Sequence, residues 1–165
     1  MYIFLFLFNT INGDFMKLSD IMCKSLIVCS VDDDISSISN KMLVNDVGLV
    51  LVCDRNRVVG IITDRDIACR VFSNELDPDI TDYMTRDIIS VDIDDSVYDV
   101  LDLMSKNRVK RIVVTNNNRV VGIISISDLL IIDQIKDEVF KTIKSIWKIG
   151  SNRHKYETEI DEFYL

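Results

Sequence analysis

The chain has 165 residues, of which 48% are apolar and 28% are charged. This length and apolar content predict a folded protein, either one compact domain or two small coupled ones, and exclude disorder of the whole chain. The formal net charge of -8 disfavours binding to nucleic acid or to an anionic membrane, so an anionic ligand needs a local basic cluster.

The N-terminal residues 1–15, MYIFLFLFNTINGDF, begin with eight apolar residues. Eight are too few to cross a bilayer, which takes about 20 apolar residues, and the segment lacks the basic start of a secretion signal. The patterned sequence begins at Met16. We interpret residues 1–15 as an N-terminal extension, with a weak signal or membrane anchor as the alternative.

From Met16 onward, the sequence contains two copies of one repeated unit. The run RVVGII at Arg57–Ile62 returns at Arg119–Ile124, an offset of 62 residues. The same offset aligns identical residues along both units without a gap: Asp20 with Asp82, Met22 with Met84, Ile27 with Ile89, Met42 with Met104, Asn45 with Asn107, and Asp66 with Asp128. A fixed offset of this kind indicates an internal repeat.

The repeat divides the chain. We place the first unit at 16–72, a linker containing Pro78 at 73–78, and the second unit at 79–132. Residues 133–150 extend the last helix and 151–165 form a tail. Because the linker is short, we expect the two units to pack face to face.

Each unit predicts the order strand, helix, strand, strand, helix. The first strand falls around Ile27, or around Ile88 and Ile89, and is followed by apolar residues at helical spacing behind a run of aspartates. Two valine- and isoleucine-rich runs then flank DRNR or NNNR, which is typical of a hairpin. The fold class is therefore α+β, with α/β-like units.

The last helix of each unit begins at a hydroxyl residue. It is predicted from Thr63 to about Phe72 in the first unit, and from Ser125 to about Ile146 in the second. The apolar residues of the longer helix recur at steps of three and four, so it should pack on the module or on a second copy across a twofold axis.

Four cysteines occur singly, and His154 is the only histidine. This spacing does not fit a zinc site. The cysteines lie mostly beside apolar residues, which favours buried reduced thiols over disulfides and hence a cytoplasmic protein. They are Cys23, Cys29, Cys53 and Cys69.

The doubled unit, with D-x-M before its first strand and GIITDRD or GIISISD at its last helix, resembles the CBS domain, named for cystathionine beta-synthase. The resemblance covers about Lys17 to Ile132. It implies a tandem pair, or Bateman module, with two clefts between the repeats. Similar pairs bind adenosine-containing ligands such as AMP, ADP, ATP, S-adenosylmethionine and NADH, often form homodimers, and regulate partner proteins.

The hydroxyl and the aspartate that follows it have two interpretations. Thr63 with Asp66, and Ser125 with Asp128, have the spacing of an acidic capping box at a helix start. A carboxylate can also accept from both ribose hydroxyls of a nucleotide, and a hydroxyl beside free N–H groups suits a ribose or phosphate oxygen. Both roles use the same atoms.

The resemblance implies a first cleft with two cations. It combines Thr63 and Asp66 with residues of the second unit, and there Lys110 and Arg111 are candidates to neutralise phosphates. The alternative is that these two residues are a solvated pair at a strand edge. The full set of candidates is Thr63, Asp66, Ile61, Ile88, Ile89, Lys110 and Arg111.

The second cleft has no matching cations in the sequence, because the positions equivalent to Lys110 and Arg111 are Gly48 and Leu49. We therefore expect it to take a less charged ligand, such as an adenosine moiety, or to stay empty. Its candidates are Ser125, Asp128, Ile123, Leu26 and Ile27.

The sequence shows no recognisable pattern of catalytic or metal-binding residues, so we expect that the protein is not an enzyme and uses no catalytic cofactor or metal. The expected function is a stand-alone regulatory module that binds an adenosyl ligand and signals to a partner protein. The expected partners are a second copy of the chain, the small molecule and a regulated protein, without nucleic acid or membrane. The alternative is a dimeric scaffold that binds protein without a ligand.

Overall fold

The computed structural model describes residues 16–71 and 79–147. The predicted N-terminal extension, the linker, Phe72, the end of the helix extension at 148–150 and the tail lie outside these residues. The helices and strands, in chain order, are α1 (Leu18–Ile21), β1 (Val28–Ser30), α2 (Ile35–Asn45), β2 (Leu49–Asp54), β3 (Arg57–Thr63), α3 (Asp64–Asp66), a π-helical segment (Ile67–Val71), α4 (Ile80–Tyr83), β4 (Ser90–Asp92), α5 (Val97–Asn107), β5 (Arg111–Asn116), β6 (Arg119–Ser125), α6 (Ile126–Leu129), a 3₁₀ turn (Asp133–Ile135) and α7 (Lys136–Trp147).

Each unit contains one three-stranded mixed sheet. In the first sheet β1 is parallel to β2, and β2 is antiparallel to β3; β4, β5 and β6 repeat the arrangement. Even the irregularity in register recurs, between Val52 and Cys53 and between Val114 and Thr115. The predicted β-α-β-β-α repeat and its α+β class are confirmed.

Local chemistry explains the element boundaries. The Asp34 carboxylate accepts from the Ser37 amide at 2.8 Å and starts α2, as an N-cap does. The second hairpin turns at Asn117 and Asn118, whose φ angles are 50° and 62°. Asparagine tolerates this left-handed conformation, which a two-residue hairpin loop requires.

The middle strand of each sheet is buried on both faces. In β2, Val50 and Val52 face the core of their own unit, while Leu49 and Leu51 face the other unit. Successive side chains of a strand point to opposite faces, so a strand covered on both sides reads as a continuous apolar run. The predicted face-to-face packing is present as an interface cluster made of Leu49, Leu51 and Val113 with Leu26, Val58, Ile61, Ile88, Val120 and Ile123.

The short helices that precede β1 and β4 are exchanged between the units. Leu18 of α1 is fully buried in the core of the second unit, whereas Ile80 of α4 is buried in the core of the first. Backbone hydrogen bonds also connect the segments after these helices to the other unit. The Cys23 amide donates to the Ile123 carbonyl at 2.9 Å, and the Ile61 amide donates to the Thr85 carbonyl at 2.9 Å. Neither unit therefore has a complete core without the other.

Some predicted boundaries are wrong. The predicted helix from Ser125 to about Ile146 is interrupted, since α6 ends at Leu129 and α7 begins at Lys136 after a 3₁₀ turn. The first strands begin at Val28 and Ser90, one or more residues later than predicted. The leading helices α1 and α4 are absent from the prediction, because four-residue helices have too few turns to show a period.

Replacing Leu18 by alanine tests the exchange. We expect Leu18→Ala to lower the free energy of unfolding by about 2–5 kcal/mol, the usual range for a leucine deleted from a core, measured by urea denaturation. The matched control is Leu43→Ala on α2, where the side chain is 79% exposed and the change should stay within about 0.5 kcal/mol. Equal losses in the two variants would contradict the assignment of Leu18 to the core.

Candidate functional site

Both hydroxyl–aspartate pairs form complete capping boxes. In the second unit, the Ser125 amide and hydroxyl donate to Oδ2 of Asp128 at 2.7 and 2.6 Å, and the Asp128 amide donates back to the Ser125 hydroxyl at 3.3 Å. The pair Thr63 and Asp66 repeats this geometry at 3.0, 2.7 and 3.2 Å. Each cap holds its carboxylate rigidly at the end of the last strand, and it uses only one of the two carboxylate oxygens.

The two carboxylates differ in their other oxygen. Oδ1 of Asp66 accepts from the Arg70 guanidinium at 3.2 Å, one helical turn further on. Oδ1 of Asp128 accepts no hydrogen bond from the part of the chain that the structure describes. The residue equivalent to Arg70 is Ile132, which is buried in the core of the second unit. Asp128 therefore retains an acceptor for a ligand, whereas Asp66 is paired.

A cavity of about 270 Å³ lies beside Asp128, between the two units. It joins the predicted second-cleft residues Ser125, Asp128, Ile123 and Ile27, whereas the fifth, Leu26, packs in the interface cluster. The complete lining is Cys23, Ser25, Ile27, Asp46, Val47, Gly48, Leu49, Arg111, Ile123, Ser125, Ser127 and Asp128.

Arg111 lines this second cleft, which corrects the prediction that the second cleft lacks a cation. A Cβ atom built on Gly48 would lie 3.1 Å from Nη2 of Arg111 and 2.9 Å from Oδ2 of Asp64. The absence of a side chain at Gly48 thus leaves room for the guanidinium to extend toward the first unit. The alignment of the two repeats did not predict this placement of Arg111, because it compares backbone positions and does not describe how far a long side chain extends.

The first cleft is arranged differently from the prediction. The ammonium of Lys110 lies over the ring of Trp147 in α7, 4.6 Å from its centroid. Ile61 bridges to Thr85, Ile88 belongs to the interface cluster, and Ile89 packs against the core of the second unit. Of the predicted polar residues, Thr63, Asp66 and Lys110 are thus engaged within the chain, and Arg111 lines the second cleft.

A larger cavity of about 570 Å³ lies elsewhere, at one end of the second unit. Its walls are largely apolar and include Met16, Ile93, Val97, Ile132 and Ile135. Neither hydroxyl–aspartate pair contributes to it. Size alone therefore does not identify the polar site, which needs convergent hydrogen-bonding groups.

The sequence prediction missed four polar residues near the two aspartates. Arg70 stands four positions after Asp66, a spacing that favours an ion pair on a helix and was readable from the sequence. Ser127 shares a 2.7 Å hydrogen bond with Ser125, and its position next to Asp128 was also readable. Cys23 and Ser25 enter the cavity only because the leading segment crosses to the other unit, which has no local signal.

None of the four cysteines forms a disulfide. Cys29 is buried, and burial, aided by the nearby carboxylate of Asp33, raises the pKa of its thiol to about 11. Cys23 and Cys69 are exposed. The prediction favoured buried reduced thiols over disulfides; all four thiols are free, but only Cys29 is buried and Cys53 is half-buried.

Across 16–71 and 79–147, no group of three or more His, Cys, Asp or Glu side chains is placed to hold a metal ion. Within the same ranges, no helix combines the length and the apolar character that crossing a bilayer requires.

The family is established by comparison with known proteins. The CBS domain model matches residues 18–72 and again 80–133. The chain therefore belongs to the CBS domain family, and its two units form a tandem CBS pair.

Individual relatives agree with this assignment. The protein YlbB of Bacillus subtilis is 34% identical over 143 residues, covering 84% of this chain and 96% of its own. A solved structure of a conserved Pyrococcus horikoshii protein is 31% identical, with a TM-score of 0.64, and covers 69% of this chain and 89% of its own. The CBS pair of the protein MJ0100, solved with 5′-methylthioadenosine and S-adenosyl-L-methionine, is 28% identical, with a TM-score of 0.63 and coverages of 69% and 96%.

Thiol labelling tests the burial of Cys29 in the core of the first unit. At pH 8 we expect iodoacetamide to modify the exposed Cys23 readily. Cys29 should react far more slowly, because a pKa of about 11 leaves only about one thiolate in a thousand. A raised pKa means that labelling of Cys29 rises with pH through this range. Peptide mass spectrometry over time gives both rates, and equal rates would contradict the burial of Cys29.

Proposed function

We propose that this chain is a regulatory CBS pair that binds an adenosine-containing ligand in the second cleft and transmits its occupancy to a partner protein. One observation carries the proposal. The cavity between the units has the unpaired Oδ1 of Asp128 on one side and the guanidinium of Arg111 on its wall.

The cleft offers complementary groups to each part of a nucleoside. Oδ1 of Asp128 can accept from ribose hydroxyls, as carboxylates do in dinucleotide-binding folds. Apolar side chains of Ile27, Leu49 and Ile123 line the same cavity and suit the faces of an adenine ring. Arg111 can bind an anionic end through charge-assisted hydrogen bonds.

Size narrows the range of ligands. A volume of about 270 Å³ is close to the lower end of small-molecule sites, about 300 Å³. It favours a nucleoside or mononucleotide over the dinucleotide NADH. Methylthioadenosine and S-adenosylmethionine, the ligands of the MJ0100 pair, are the first candidates, followed by AMP, ADP and ATP.

The proposed action is regulatory rather than catalytic. The cavity is lined by both units, so a ligand that binds better to one packing of the units shifts the population toward it. The change would reach a partner protein, with the module acting as a homodimer. The four cysteines without disulfides support the proposed cytoplasmic location.

A ligand-free scaffold is the second candidate, favoured by exposed apolar side chains. Leu43 and Val44 on α2 are 79% and 73% exposed, Ile131 is 80% exposed and Phe140 on α7 is 56% exposed. Exposed apolar side chains of this size offer area that a bound protein would bury. Ligand titration separates the two candidates, because a scaffold gains no stability from nucleosides.

The matched aspartate variants test the site. We expect Asp128→Ala to weaken binding of methylthioadenosine tenfold or more, because it removes charge-assisted hydrogen bonds worth about 1.5–3 kcal/mol each, and Asp66→Ala to leave it nearly unchanged. Isothermal titration calorimetry measures both. The two variants lose equivalent capping boxes, so any general effect of losing a cap appears in both.

Two results would count against this proposal. Equal loss of affinity in the two variants would remove the preference for the second cleft. No heat and no thermal stabilisation of the wild-type chain by any adenosyl ligand at millimolar concentration would favour the scaffold.

Replacing Arg111 tests its proposed role in selecting an anionic group. We expect Arg111→Met to weaken AMP binding about tenfold or more and to leave the uncharged methylthioadenosine within about twofold, since only AMP offers a phosphate to the guanidinium. The control is Arg119→Met, an exposed residue at the start of β6. A uniform loss for both ligands would show that Arg111 acts on the shape of the cleft instead.

A further inference from the structure

Lys110, one of the basic residues that pseudosymmetry places at the first cleft, is in contact with Trp147. Lys110 is equivalent to Gly48, which lines the second cleft. The Lys110 ammonium lies 4.6 Å from the centroid of the Trp147 ring, near the end of α7. The C-terminal helix thus occupies a group that a phosphate in the first cleft would need.

The helix that carries Trp147 is anchored elsewhere to the second unit. Val139 is fully buried in the core of that unit, and the hydroxyls of Ser105 on α5 and Ser145 on α7 share a 2.9 Å hydrogen bond. Trp147 itself is 39% exposed. Its contact with Lys110 therefore lies at the less buried end of a firmly packed helix, where a local change can occur without unfolding the core.

The competing interactions differ in strength. A cation–π contact at a partly exposed site is weak, whereas an ammonium that meets a phosphate makes charge-assisted hydrogen bonds. A phosphorylated ligand can therefore take Lys110 from Trp147, but an uncharged nucleoside cannot. The pairing of Asp66 with Arg70 leaves the first cleft less suited to a ribose alone. Binding of a phosphate by Lys110 would compensate for this.

We propose that the Lys110–Trp147 contact is a latch: a phosphorylated nucleotide in the first cleft displaces Trp147 from Lys110 and releases the end of α7. This inference rests on the proposed function for its ligand class, adenine nucleotides. It assigns different tasks to the two clefts. The second cleft binds the nucleoside-sized ligand, and the first responds to phosphate by changing the C-terminal helix.

Trp147 is the only tryptophan of the chain, so intrinsic fluorescence reports directly on the latch. Without ligand, we expect Lys110→Met to shift the tryptophan emission and to speed amide exchange in the last turn of α7 roughly two- to fivefold, from the loss of one cation–π contact. The matched control is Lys144→Met, which removes the contact of Lys144 with the Phe140 ring on the same helix. An equal response in both variants, or in neither, overturns the latch.

The ligand arm uses ATP and methylthioadenosine, each followed by calorimetry and fluorescence. ATP should shift the emission of the wild-type chain in the direction of Lys110→Met; the shift should be lost in Asp66→Ala and retained in Asp128→Ala. Methylthioadenosine should bind without shifting it. Heat from ATP without a change in emission overturns the latch and leaves the proposed function standing, as does binding of methylthioadenosine alone. A chain that binds neither ligand overturns both.

Discussion

The site depends on the exchange of leading segments between the two repeats. The backbone of Cys23 pairs with that of Ile123, and the backbone of Thr85 pairs with that of Ile61. A segment of the other unit therefore lies beside the last strand of each sheet. Gly122 permits the close approach, because a Cβ atom there would lie 2.4 Å from the Met22 sulfur. With the units tied in this way, the cleft has walls from both, and its shape follows their relative position.

Pseudosymmetry fixes the backbone of the two clefts more strictly than their chemistry. The strands, their register irregularities and the capping boxes recur at an offset of 62 residues. Three side chains break the equivalence: Arg70 pairs with Asp66, Arg111 reaches the second cleft, and Lys110 is held by Trp147. A duplicated unit can acquire two distinct sites by such substitutions, because each changes charge without changing the fold.

Most of the fold was predictable from the sequence, because hairpins, helix starts and amphipathic helices leave local motifs or periodic apolar patterns. The hairpins follow from apolar runs around NNNR and DRNR, and the capping boxes from Ser125 and Thr63 with their aspartates. The exchange of α1 and α4 was not predictable from those signals, since a four-residue helix has no measurable period and its burial depends on another unit. The break between α6 and α7 was missed because Ile132 and Ile135 remain in helical phase across it.

The sequence predicted which residues belong to the candidate site, but it did not predict which charged side chains face each cleft. Ser125, Asp128, Ile123 and Ile27 line the same cavity between the units. The placement of Arg111 depends on the length of its side chain and on the missing side chain of Gly48, which an alignment of repeats does not describe. The pairing of Asp66 with Arg70 was visible as an i,i+4 spacing, yet its effect on ligand binding follows only from the paired geometry.

The central claim is that the second cleft is the nucleoside site. A crystal structure of the wild-type chain grown with methylthioadenosine tests it most directly. The account predicts density between the units, with the ribose hydroxyls on Oδ1 of Asp128 and the adenine against Ile27 and Ile123. Density confined to the first cleft, with the ribose on Asp66 in place of Arg70, would contradict it.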